Sequence, residues 1–595
     1  MKLGIDFGST YSTFSTYDPI TDESKALSMS EGKPACIPSA VSLSKSGQIS
    51  VGETAKHNVG SRAFTVFEGF KMLLVENDPA IIAGKKYTKE YTPAAVTRLF
   101  LEKNLAGLVD RYKAQYGDTI EDIYICIPEV WSNELRTLDG RSTLVNILKQ
   151  IKSVNIRPDG IKVVTEPEAA SAYFACQYEK ISHKRFNGYL LLIDYGGGTL
   201  DITLTQVTSD GQGRMDIRYI DGGGKGENHR DATGNVSLGN AGLAYLQRVL
   251  ELALTDSGYH DIDCNSNKFK KALTLFECEL ISSGRIQDIR TTFDTYGNYK
   301  DFKQILEEPP EEFYPVDYGE EDIVSITYQH LFLAYQQTIE HILKTEIDEI
   351  NRKINEKYLH RDPTRPESGN LDDFKIALVG GFGSFYLVQK QIEEIYHITS
   401  NAVNDKRLKD ICTDQREQAI SMGAALLAAG RVHLVNTARY SIGFASRIPN
   451  ITDKCTLAFA IYFHQQLIPD HPYFLGENGQ ICNNPDRRMK FTALRNYLDV
   501  FAIGFSDDYH KFLPLRLKDS MRKKLDLIPA YGLWNIGFSI DKNGIVSLHL
   551  VPCPGYGHGL KPMRIELDNY NNMFGLTAVK EVDIRSLKSL DDIYD

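Results

Sequence analysis

The chain contains the sequence LGIDFGSTY at residues 3–11 and a similar sequence, LLIDYGGGT, at residues 191–199. Each is an apolar run followed by an aspartate, Asp6 or Asp194, then an aromatic residue, glycine and a hydroxyl residue. Because glycine is the usual residue of a tight turn, each sequence predicts a strand, a turn and a second strand. The repetition indicates either a duplicated half-domain or two unrelated hairpins.

The sequence around these two segments alternates between strand-like and helix-like patterns up to about residue 430. Apolar runs predict strands at 3–7, 123–127, 163–164, 190–193, 202–204 and 376–379. Helical periodicity predicts helices at 93–108, 168–177, 241–254, 269–281, 323–354 and 415–429. This alternation predicts α/β layers. Residues 221–240 and 307–322 are rich in turn-forming residues, and we expect both to be surface loops.

The character of the sequence changes after Arg431. Residues 440–595 are rich in tyrosine, phenylalanine, isoleucine and valine, and the segment 536–550, IGFSIDKNGIVSLHL, has Asn-Gly between two apolar strands. Asn-Gly in this position is the strongest short-range signal of a β-hairpin. We therefore expect an α/β domain at residues 1–432 and a smaller, mainly β domain at residues 440–595.

Composition limits the classes of function. The chain has 595 residues, is 42% hydrophobic and carries a net charge of −11, which argues against non-specific binding of nucleic acid. Its nine cysteines include no C-x-x-C pair, so neither a zinc site nor a disulfide framework is expected. The first residues do not resemble a signal peptide, and no apolar run is long enough to span a bilayer. We expect a cytoplasmic protein without a membrane span.

The two glycine turns have the composition of a phosphate-binding site. Backbone N–H groups of a tight glycine turn can hold phosphate oxygens, and a neighbouring serine or threonine adds a hydroxyl donor. Mg²⁺ prefers oxygen ligands and keeps several waters, which Asp6 and Asp194 are placed to hold. The sequence therefore predicts that two turns hold Mg-ATP or Mg-ADP from opposite sides; their residues are Gly8, Ser9, Thr10, Tyr11, Gly196, Gly197, Gly198 and Thr199.

Four segments resemble motifs of the heat shock 70 kDa (DnaK-type) chaperones. They are GIDFGSTYS at 4–12, TEPEAA at 165–170, DYGGGTLD at 194–201 and ALVGGF at 377–382, and they resemble the first phosphate loop, the connecting motif, the second phosphate loop and the adenosine motif. The segments FKM at 70–72, EPEAAS at 166–171 and VGGFGS at 379–384 are most similar to the atypical, heat shock protein A twelve-like branch. The resemblance covers about 430 residues and implies a duplicated, two-lobed actin-like (ribonuclease H-like) ATPase domain.

The resemblance also implies residue roles. Asp6, Glu166 and Asp194 would order water around Mg²⁺, Thr199 and Asp201 would position the attacking water, and Lys71 would reach the γ-phosphate. The adenosine side would be formed by Gly239, Gly380, Gly381, Phe382 and Ser384. The implied activity is slow Mg-dependent ATP hydrolysis by phosphoryl transfer, in which ATP favours closure of the lobes.

The sequence departs from the family pattern in several places. Ser384 stands where the major chaperones have an arginine that stacks on adenine, and residues 276–282 supply no clear basic residue for the other face. Loss of such stacking could weaken base recognition by about 0.5–2 kcal/mol per contact. The acidic, leucine-rich linker is replaced by RVHLVN at 431–436, and no long helical pattern follows Leu550, so a helical lid is not expected.

Three functions remain open at this stage. The first is an ATP-driven chaperone-like protein whose β domain binds an extended polypeptide. The second is a metabolite kinase on the same fold, for which no catalytic acid facing a sugar pocket is evident. The third is a nucleotide-gated interaction module, or a filament-forming relative of actin, without chaperone activity.

Overall fold

The structure, a computed structural model, describes most of the chain. The described residues are 1–31, 35–76, 82, 87–129, 131, 140–209, 215–225, 228–230, 236–238, 241–282, 285–319, 322–365, 373–381, 386–398, 417–447, 455–476, 482, 484–491, 500–505, 507–541, 544–555, 559–569, 573–575 and 580–587.

The described strands are numbered in chain order. They are β1 (Lys2–Phe7), β2 (Tyr11–Asp18), β3 (Glu23–Ala26), β4 (Ile37–Pro38), β5 (Ala40–Ser44), β6 (Ile49–Val51), β7 (Phe64–Glu68), β8 (Thr119–Ile120), β9 (Asp122–Ile127), β10 (Asn155–Ile156), β11 (Ile161–Thr165), β12 (Gly188–Tyr195), β13 (Leu200–Ser209), β14 (Met215–Lys225), β15 (Asn228–Arg230), β16 (Val236–Leu238), β17 (Glu312–Asp317), β18 (Ile323–Thr327), β19 (Phe374–Val379), β20 (His433–Leu434), β21 (Ser441–Arg447), β22 (Cys455–Ile461), β23 (Tyr473–Phe474), β24 (Lys490–Phe491), β25 (Val500–Gly504), β26 (Lys511–Leu517), β27 (Trp534–Ile540), β28 (Ile545–Pro552), β29 (Met563–Asn569), β30 (Phe574–Gly575) and β31 (Val582–Asp583).

The described helices are numbered in the same way. They are α1 (Glu53–Lys56), α2 (Pro93–Tyr116), α3 (Gly140–Gln150), α4 (Glu166–Ser182), α5 (Gly242–Asp256), α6 (Asn267–Ser282), α7 (Arg285–Asp294), α8 (Tyr328–Tyr335), α9 (His341–Lys353), α10 (Tyr386–Ile395), α11 (Ala419–Ala428) and α12 (Asp519–Leu525). Short segments of 3₁₀ or π geometry also occur, including a 3₁₀ turn at Met72–Val75, a longer 3₁₀ segment at Tyr299–Glu307 and π turns at Gln336–Glu340 and Ile354–Leu359.

The chain divides into two compact units. The first comprises Met1–Leu74, Asp78–Val130 and Arg141–Leu434, and the second comprises Val75–Asn77, Trp131–Gly140 and Val435–Asp595. The first unit is an α/β structure with several sheets, and the second is built mainly of strands.

One sheet of the first unit is organised around β1. Its order is β11, β9, β1, β2, β3, with β4 paired to β2. Strand β1 pairs antiparallel with β2, where Phe7 lies opposite Ser12, and parallel with β9, where Ile5 lies opposite Ile125. The apolar run predicted at 3–7 is therefore a central strand with neighbours on both sides.

A second sheet of the same unit repeats this arrangement around β12. Its order is β19, β12, β13, β14, β20. Strand β12 pairs antiparallel with β13, where Tyr195 lies opposite Leu200, and parallel with β19, where Ile193 lies opposite Leu378. In both sheets the first strand of a hairpin thus has its hairpin partner on one side and a later, parallel strand on the other. A parallel neighbour requires a crossover connection, which the intervening helices supply.

Helix α11 packs closely against β1 and α4. A Cβ atom added at Gly4 would lie 2.1 Å from the carbonyl oxygen of Ser421, and one added at Gly423 would lie 1.7 Å from the carbonyl oxygen of Ala169. The Ser421 hydroxyl also accepts a hydrogen bond from the Thr13 hydroxyl at 2.8 Å. The two glycines therefore allow backbone-to-backbone contact, which brings the start of α11 next to the β1–β2 hairpin.

The second unit is a β-sandwich. One sheet has the order β22, β21, β25, β26, β30, with β31 on β26, and the other has the order β23, β27, β28, β29, with β24 on β27. A single hydrophobic cluster includes side chains of both sheets, and the rings of Phe444, Phe501 and Phe538 lie 4.9–5.8 Å apart within it. Two antiparallel sheets that share an apolar core are the usual architecture of a sandwich.

The hairpin predicted around residues 536–550 is confirmed. Strands β27 and β28 pair antiparallel, with Ile540 opposite Val546. Gly544 has φ +79° and donates its N–H to the carbonyl of Asp541, so the turn uses the left-handed conformation that glycine permits. In the described part of the chain after β28, the regular elements are β29–β31 and a 3₁₀ turn at Ile584–Ser586.

Three secondary-structure predictions were wrong. Residues 221–240, expected to be a loop, include the end of β14 and the β15–β16 hairpin. Residues 307–322, also expected to be a loop, contain β17, which pairs with β18. The helix predicted to begin at residue 323 begins at Tyr328 instead, after β18. In each case cross-strand pairing outweighs a local composition that favours turns or helix.

None of the described helices combines the length and the apolar character needed to cross a membrane.

We expect Gly423→Ala to destabilise the first unit. The added methyl group would meet the backbone of α4 at 1.7 Å, and overpacking of this kind typically costs about 1–3 kcal/mol. The midpoint of thermal unfolding should fall by several degrees. Gly504→Ala is the matched control, because a Cβ there would meet its nearest neighbour, the carbonyl oxygen of Lys511, at 3.4 Å. Equal midpoints for the two variants would contradict the packing described for α11.

Candidate functional site

The first unit contains a cavity that is lined by both glycine turns. Its lining comes from segments that are far apart in the sequence. The lining residues are Asp6, Gly8, Ser9, Thr10, Tyr11, Thr13, Cys36, Lys71, Glu166, Asp194, Gly196, Gly197, Gly198, Thr199, Gly380, Gly381, Glu417 and Ile420.

The first turn joins β1 to β2 through Gly8, Ser9 and Thr10. A Cβ atom at Gly8 would lie 1.9 Å from the carbonyl oxygen of Tyr11, so the turn closes too tightly for any side chain at this position. Ser39 holds the turn from outside: its N–H donates to the carbonyl of Thr10 at 2.7 Å and its hydroxyl donates to the carbonyl of Gly8 at 2.8 Å. Two hydrogen bonds from Ser39 therefore help to fix the shape of the turn.

The second turn joins β12 to β13 through residues 196–199. The N–H of Gly196 donates to the carbonyl of Thr199 at 2.9 Å, which closes the turn. The carbonyls of Gly196 and Gly197 accept from the N–H groups of Gly242 and Leu243, at 3.1 and 2.9 Å, so the turn is anchored on the first residues of α5.

The two turns meet each other and the segment that follows β19. A Cβ atom at Gly197 would lie 2.1 Å from the hydroxyl oxygen of Thr10, and one at Gly380 would lie 2.3 Å from Oδ1 of Asp194. Gly380 also has φ +83°, a conformation that side chains rarely adopt. Because glycine occupies these points, three backbone segments can surround one small space.

Lys71 and Glu166 form a buried ion pair in the wall of the cavity. The ammonium of Lys71 donates to Oε1 of Glu166 at 2.5 Å, and both residues are almost fully buried. A lysine at this position could also have been an exposed residue on a surface helix. Because Lys71 is buried, that interpretation does not hold. A buried charge must be paired, so each of these residues depends on the other.

Local packing explains where the pair lies. Phe70 is buried, and its ring lies 5.9 Å from that of Phe7 in β1 and 5.7 Å from that of Phe100 in α2, so the residue before Lys71 is held in the core. Glu166 is the first residue of α4 and directly follows β11. The start of α4 is fixed by the backbone N–H of Thr165, which donates to the carboxylate of Glu168 at 3.0 Å.

The buried carboxylates of this region hold protons more tightly than usual. Burial and the nearby Glu166 raise the pKa of Asp6 to about 7, although Lys71 opposes this shift. Burial and Glu166 likewise raise the pKa values of Asp194 and Asp201 well above the ordinary range. Burial alone would lower the pKa of Lys71, but Glu166 and Asp6 raise it above its usual value. The region therefore has more carboxyl groups than positive charges, and a bound cation would favour their ionised forms.

A second buried ion pair joins α1 to α6. The ammonium of Lys56 donates to Oε2 of Glu277 at 2.8 Å and to Oε1 of Glu68 at 2.7 Å. Burial opposes the charge on Lys56, but the two carboxylates raise its pKa well above the usual value. Burial and then the charge of Glu277 raise the pKa of Tyr11, which lines the cavity.

Most of the site residues predicted from the sequence lie together. Asp6, Lys71, Glu166, Asp194, both turns, Gly380 and Gly381 all line the cavity. Asp201 does not line it but lies opposite Asp194 across the β12–β13 hairpin, fully buried. Gly239, Phe382 and Ser384 lie outside the described residues, so their predicted roles remain predictions.

Four lining residues were not predicted from the sequence: Thr13, Cys36, Glu417 and Ile420. Thr13 lies two residues beyond Tyr11 on the same strand, and alternation along β2 could have indicated it. Cys36 and Glu417 are brought together only by the fold: the thiol of Cys36 donates to Oε2 of Glu417 at 3.2 Å. Burial and Glu417 raise the pKa of this thiol strongly, so it stays protonated.

Within the described residues, no group of three histidine, cysteine, aspartate or glutamate side chains lies close enough together to ligate a metal ion directly.

Part of the chain is similar to DnaK chaperones. It is 27% identical over 229 residues to the protein named chaperone protein DnaK of Nitrosopumilus maritimus, and 26% identical over 222 and 207 residues to those of Endomicrobium trichonymphae and Metamycoplasma hominis. These matches cover 34–35% of this chain and 29–30% of each relative. No protein-family model matches the chain. The partial matches support a heat shock 70 kDa-like relationship.

We expect the stability of the ligand-free protein to depend on the protonation of Asp6. Its pKa is about 7 in the folded state and about 4 in an unfolded chain, so the folded state binds this proton more tightly. The carboxyl group therefore stabilises the fold below pH 4, and this contribution is lost as the pH rises to about 7. The thermal midpoint of Asp6→Asn, measured relative to wild type, should rise between pH 5 and pH 8.

The control for this measurement is Asp110→Asn, since Asp110 is exposed on α2 and its side chain is 79% accessible. Its midpoint should keep a constant offset from wild type over the same pH range. A constant offset for Asp6→Asn as well would contradict the raised pKa of Asp6.

Proposed function

We propose that the chain binds Mg-ATP in this cavity, hydrolyses it slowly, and acts as a chaperone-like protein whose nucleotide state controls lobe closure and the binding of polypeptide. One observation carries the proposal: Asp6, Asp194 and both glycine turns line the same cavity. The partial similarity to proteins named chaperone protein DnaK supports the chaperone class.

The fit to a phosphate chain rests on the two turns. The glycines of both turns line the cavity, and a larger residue at Gly8 or Gly197 would collide with neighbouring atoms. The hydroxyl oxygen of Thr10 is buried and makes no hydrogen bond to any other described residue, so it is available to a ligand. Glycine turns with hydroxyl donors are a common way to hold phosphate oxygens.

The fit to Mg²⁺ rests on the donor set. Asp6, Glu166 and Asp194 present carboxylate oxygens at the cavity, and Mg²⁺ prefers oxygen ligands together with several waters. We infer that these three residues hold the ion mainly through water. When bound, Mg²⁺ would offset the charge of the phosphates.

The residues of the chain would promote hydrolysis by position and charge. Lys71 lines the cavity, and its pairing with Glu166 favours the charged ammonium, which would pair with the oxygens of the γ-phosphate. The hydroxyl of Thr199 would position the attacking water, and Asp201, which does not line the cavity, would contribute through Thr199. Such a site needs no covalent intermediate, because phosphoryl transfer depends mostly on alignment and charge stabilisation.

We further propose that residues 1–432 form a duplicated, two-lobed actin-like domain. The support is that β1–β2 and β12–β13 occupy equivalent positions in sheets of matching strand arrangement. Gly239, Gly380, Gly381, Phe382 and Ser384 would bind the adenosine side. The absence of a basic residue at 384 and across 276–282 favours weak stacking on adenine and a relationship to the atypical, heat shock protein A twelve-like branch.

The β-rich region at residues 440–595 would bind the polypeptide. Its sandwich has edge strands, such as β22 and β29, and an extended peptide can pair with a sheet edge through its main chain. Exposed apolar side chains of this unit, among them Ile468, Leu527 and Tyr531, could contact apolar residues of a client.

Steady-state turnover tests the proposal. Wild-type protein should hydrolyse ATP slowly in the presence of Mg²⁺, and an unfolded polypeptide should increase the rate. Asp194→Ala should lower turnover by at least about 100-fold, because it removes a carboxylate that organises the water around the ion. Its unfolding midpoint should stay close to that of wild type.

Asp110→Ala, on the exposed face of α2, is the control and should keep full turnover. Wild-type turnover by Asp194→Ala would remove this residue from the site. A requirement for a sugar or polyol would instead favour a kinase, and ATP-dependent sedimentation would favour a filament-forming protein.

Conversion of Cys36 to a mixed disulfide, with release of methanesulfinate from the reagent, tests occupancy of the cavity without reference to activity. The thiol lines the cavity, so bound Mg-ADP should block a small methanethiosulfonate reagent and slow its reaction with Cys36 by at least about 10-fold at saturation. Peptide mass spectrometry gives the rate at each cysteine. Cys264, which bonds to Glu251 and does not line the cavity, is the internal control. Equal slowing at both cysteines, or none at Cys36, would contradict nucleotide binding at this place.

A further inference from the structure

One sheet of the second unit has apolar side chains on both of its faces. Successive residues of a strand point to opposite sides of a sheet. Phe501 of β25 lies in the sandwich core, and the next residue, Ala502, belongs to a separate buried cluster with Phe459 and Phe512. A sheet face in water usually carries polar side chains, so this second apolar face requires a cover. We call it the outer face; its residues are Ala445, Leu457, Phe459, Ala502 and Phe512.

Residues 580–587, with the sequence KEVDIRSL, lie on the outer face. Val582, Ile584 and Leu587 pack against its cluster and remain partly accessible to water. Arg585, between them in the sequence, is exposed. We call residues 580–587 the covering segment. Its apolar side chains thus supply contacts that the outer face would otherwise lack.

The covering segment also pairs with the edge of β26 through its main chain. Strand β31 runs antiparallel to β26, with Val582 opposite Phe512. The N–H of Ile584 donates to the carbonyl of His510 at 2.9 Å. Main-chain pairing at a sheet edge, together with side-chain contacts on a face, is a common way to recognise an extended peptide. The covering segment is therefore held in the way that a separate polypeptide could be held.

The contacts that hold the covering segment are individually weak. Strand β31 comprises only Val582 and Asp583. Arg585 lies 3.6 Å from Asp508, but both side chains are exposed, and ion pairs of this kind contribute little to stability. Segments with short pairings and partly exposed side chains open at a low cost in free energy. Release of the covering segment would uncover the outer face, while the core on the other side of the sheet would stay packed.

Aromatic side chains border the outer face. The ring of Tyr462 lies 5.9 Å from that of Phe459, and the ring of Tyr509 lies 4.9 Å from that of Tyr462. Tyr462 packs against the outer-face cluster, and Tyr509 is 39% exposed. Aromatic rings bury a large area on contact and have a polar tip that can form hydrogen bonds. These two tyrosines would add contact area for a bound polypeptide.

We propose that the outer face and the adjoining edge of β26 bind an extended polypeptide with apolar side chains at alternate positions. The covering segment occupies this place until such a polypeptide replaces it. The inference rests on the proposed binding of polypeptide by the β-rich region, and it names the surface that performs this binding. A client with this pattern reproduces the contacts of the covering segment, so it needs only the space that the segment already fills.

Loosening the covering segment tests this surface. In Ile584→Asp a charge replaces an apolar side chain that packs on the outer face, so the segment should leave its place. A fluorescent synthetic copy of residues 580–587 should bind this variant at least about 10-fold more tightly than wild type, where the tethered segment competes at a high local concentration. Fluorescence anisotropy of the copy, measured with the full chain and without nucleotide, gives both affinities.

Ile20→Asp is the matched control, because it makes the same change at a side chain that is 93% exposed, and it should bind the copy as wild type does. Adding Leu457→Asp to Ile584→Asp places a charge on the outer face itself and should remove the gain in affinity. Thermal unfolding midpoints establish that the variants are folded. The proposal is overturned if Ile584→Asp binds the copy no more tightly than Ile20→Asp, or if the added Leu457→Asp leaves the gain intact.

An unfolded polypeptide extends the test to clients. Reduced and carboxymethylated α-lactalbumin should displace the fluorescent copy from Ile584→Asp, whereas native α-lactalbumin should not. Equal displacement by the two forms, or no displacement by the unfolded form, would also overturn the proposal. A lack of ATP turnover would contradict the proposed function but would leave these binding results unchanged, so the two failures are distinguishable.

Discussion

Lys71 supplies the only positive charge among the described residues that line the cavity, and it is buried against Glu166 with Asp6 and Asp194 close by. Burying several carboxylates around one ammonium is costly unless further positive charge arrives or some carboxyl groups stay protonated. Asp6 and Asp194 lie near the ends of β1 and β12, and Glu166 directly follows β11, so regular elements position all three acids. A bound cation would offset this surplus of carboxyl groups and favour their ionised forms.

The cluster of acids around Lys71 depends on backbone segments that approach each other closely. Gly4 and Gly423 let α11 contact β1 and α4. Gly197 lets the second turn contact Thr10, and Gly380 lets Asp194 lie beside the residue that follows β19. Glycine thus allows close backbone contact in two places, at the packing of α11 and at the cavity. This close contact explains why glycine recurs both where the cavity is formed and where the sheets and helices behind it pack.

The sequence predicted the parts of the fold that rest on strong local patterns. Apolar runs ending in an aspartate and a glycine turn identified β1 and β12, and Asn-Gly identified the β27–β28 hairpin. Polar segments such as β17 were misjudged as loops because their pairing with β18 is not visible in composition. Cys36 and Glu417 could not be found from the sequence, because nothing in their local patterns indicates that residues so far apart meet at one cavity.

The thiol of Cys36 also offers a point of covalent attachment for a compound that binds in the cavity. An electrophile carried by such a compound could react with this sulfur. Because burial and Glu417 keep the sulfur protonated, a weak Michael acceptor would react slowly however well it was bound. Such a compound would therefore need either a strongly activated warhead or a long residence time, and a replacement of Glu417 by a neutral residue would make the same warhead faster.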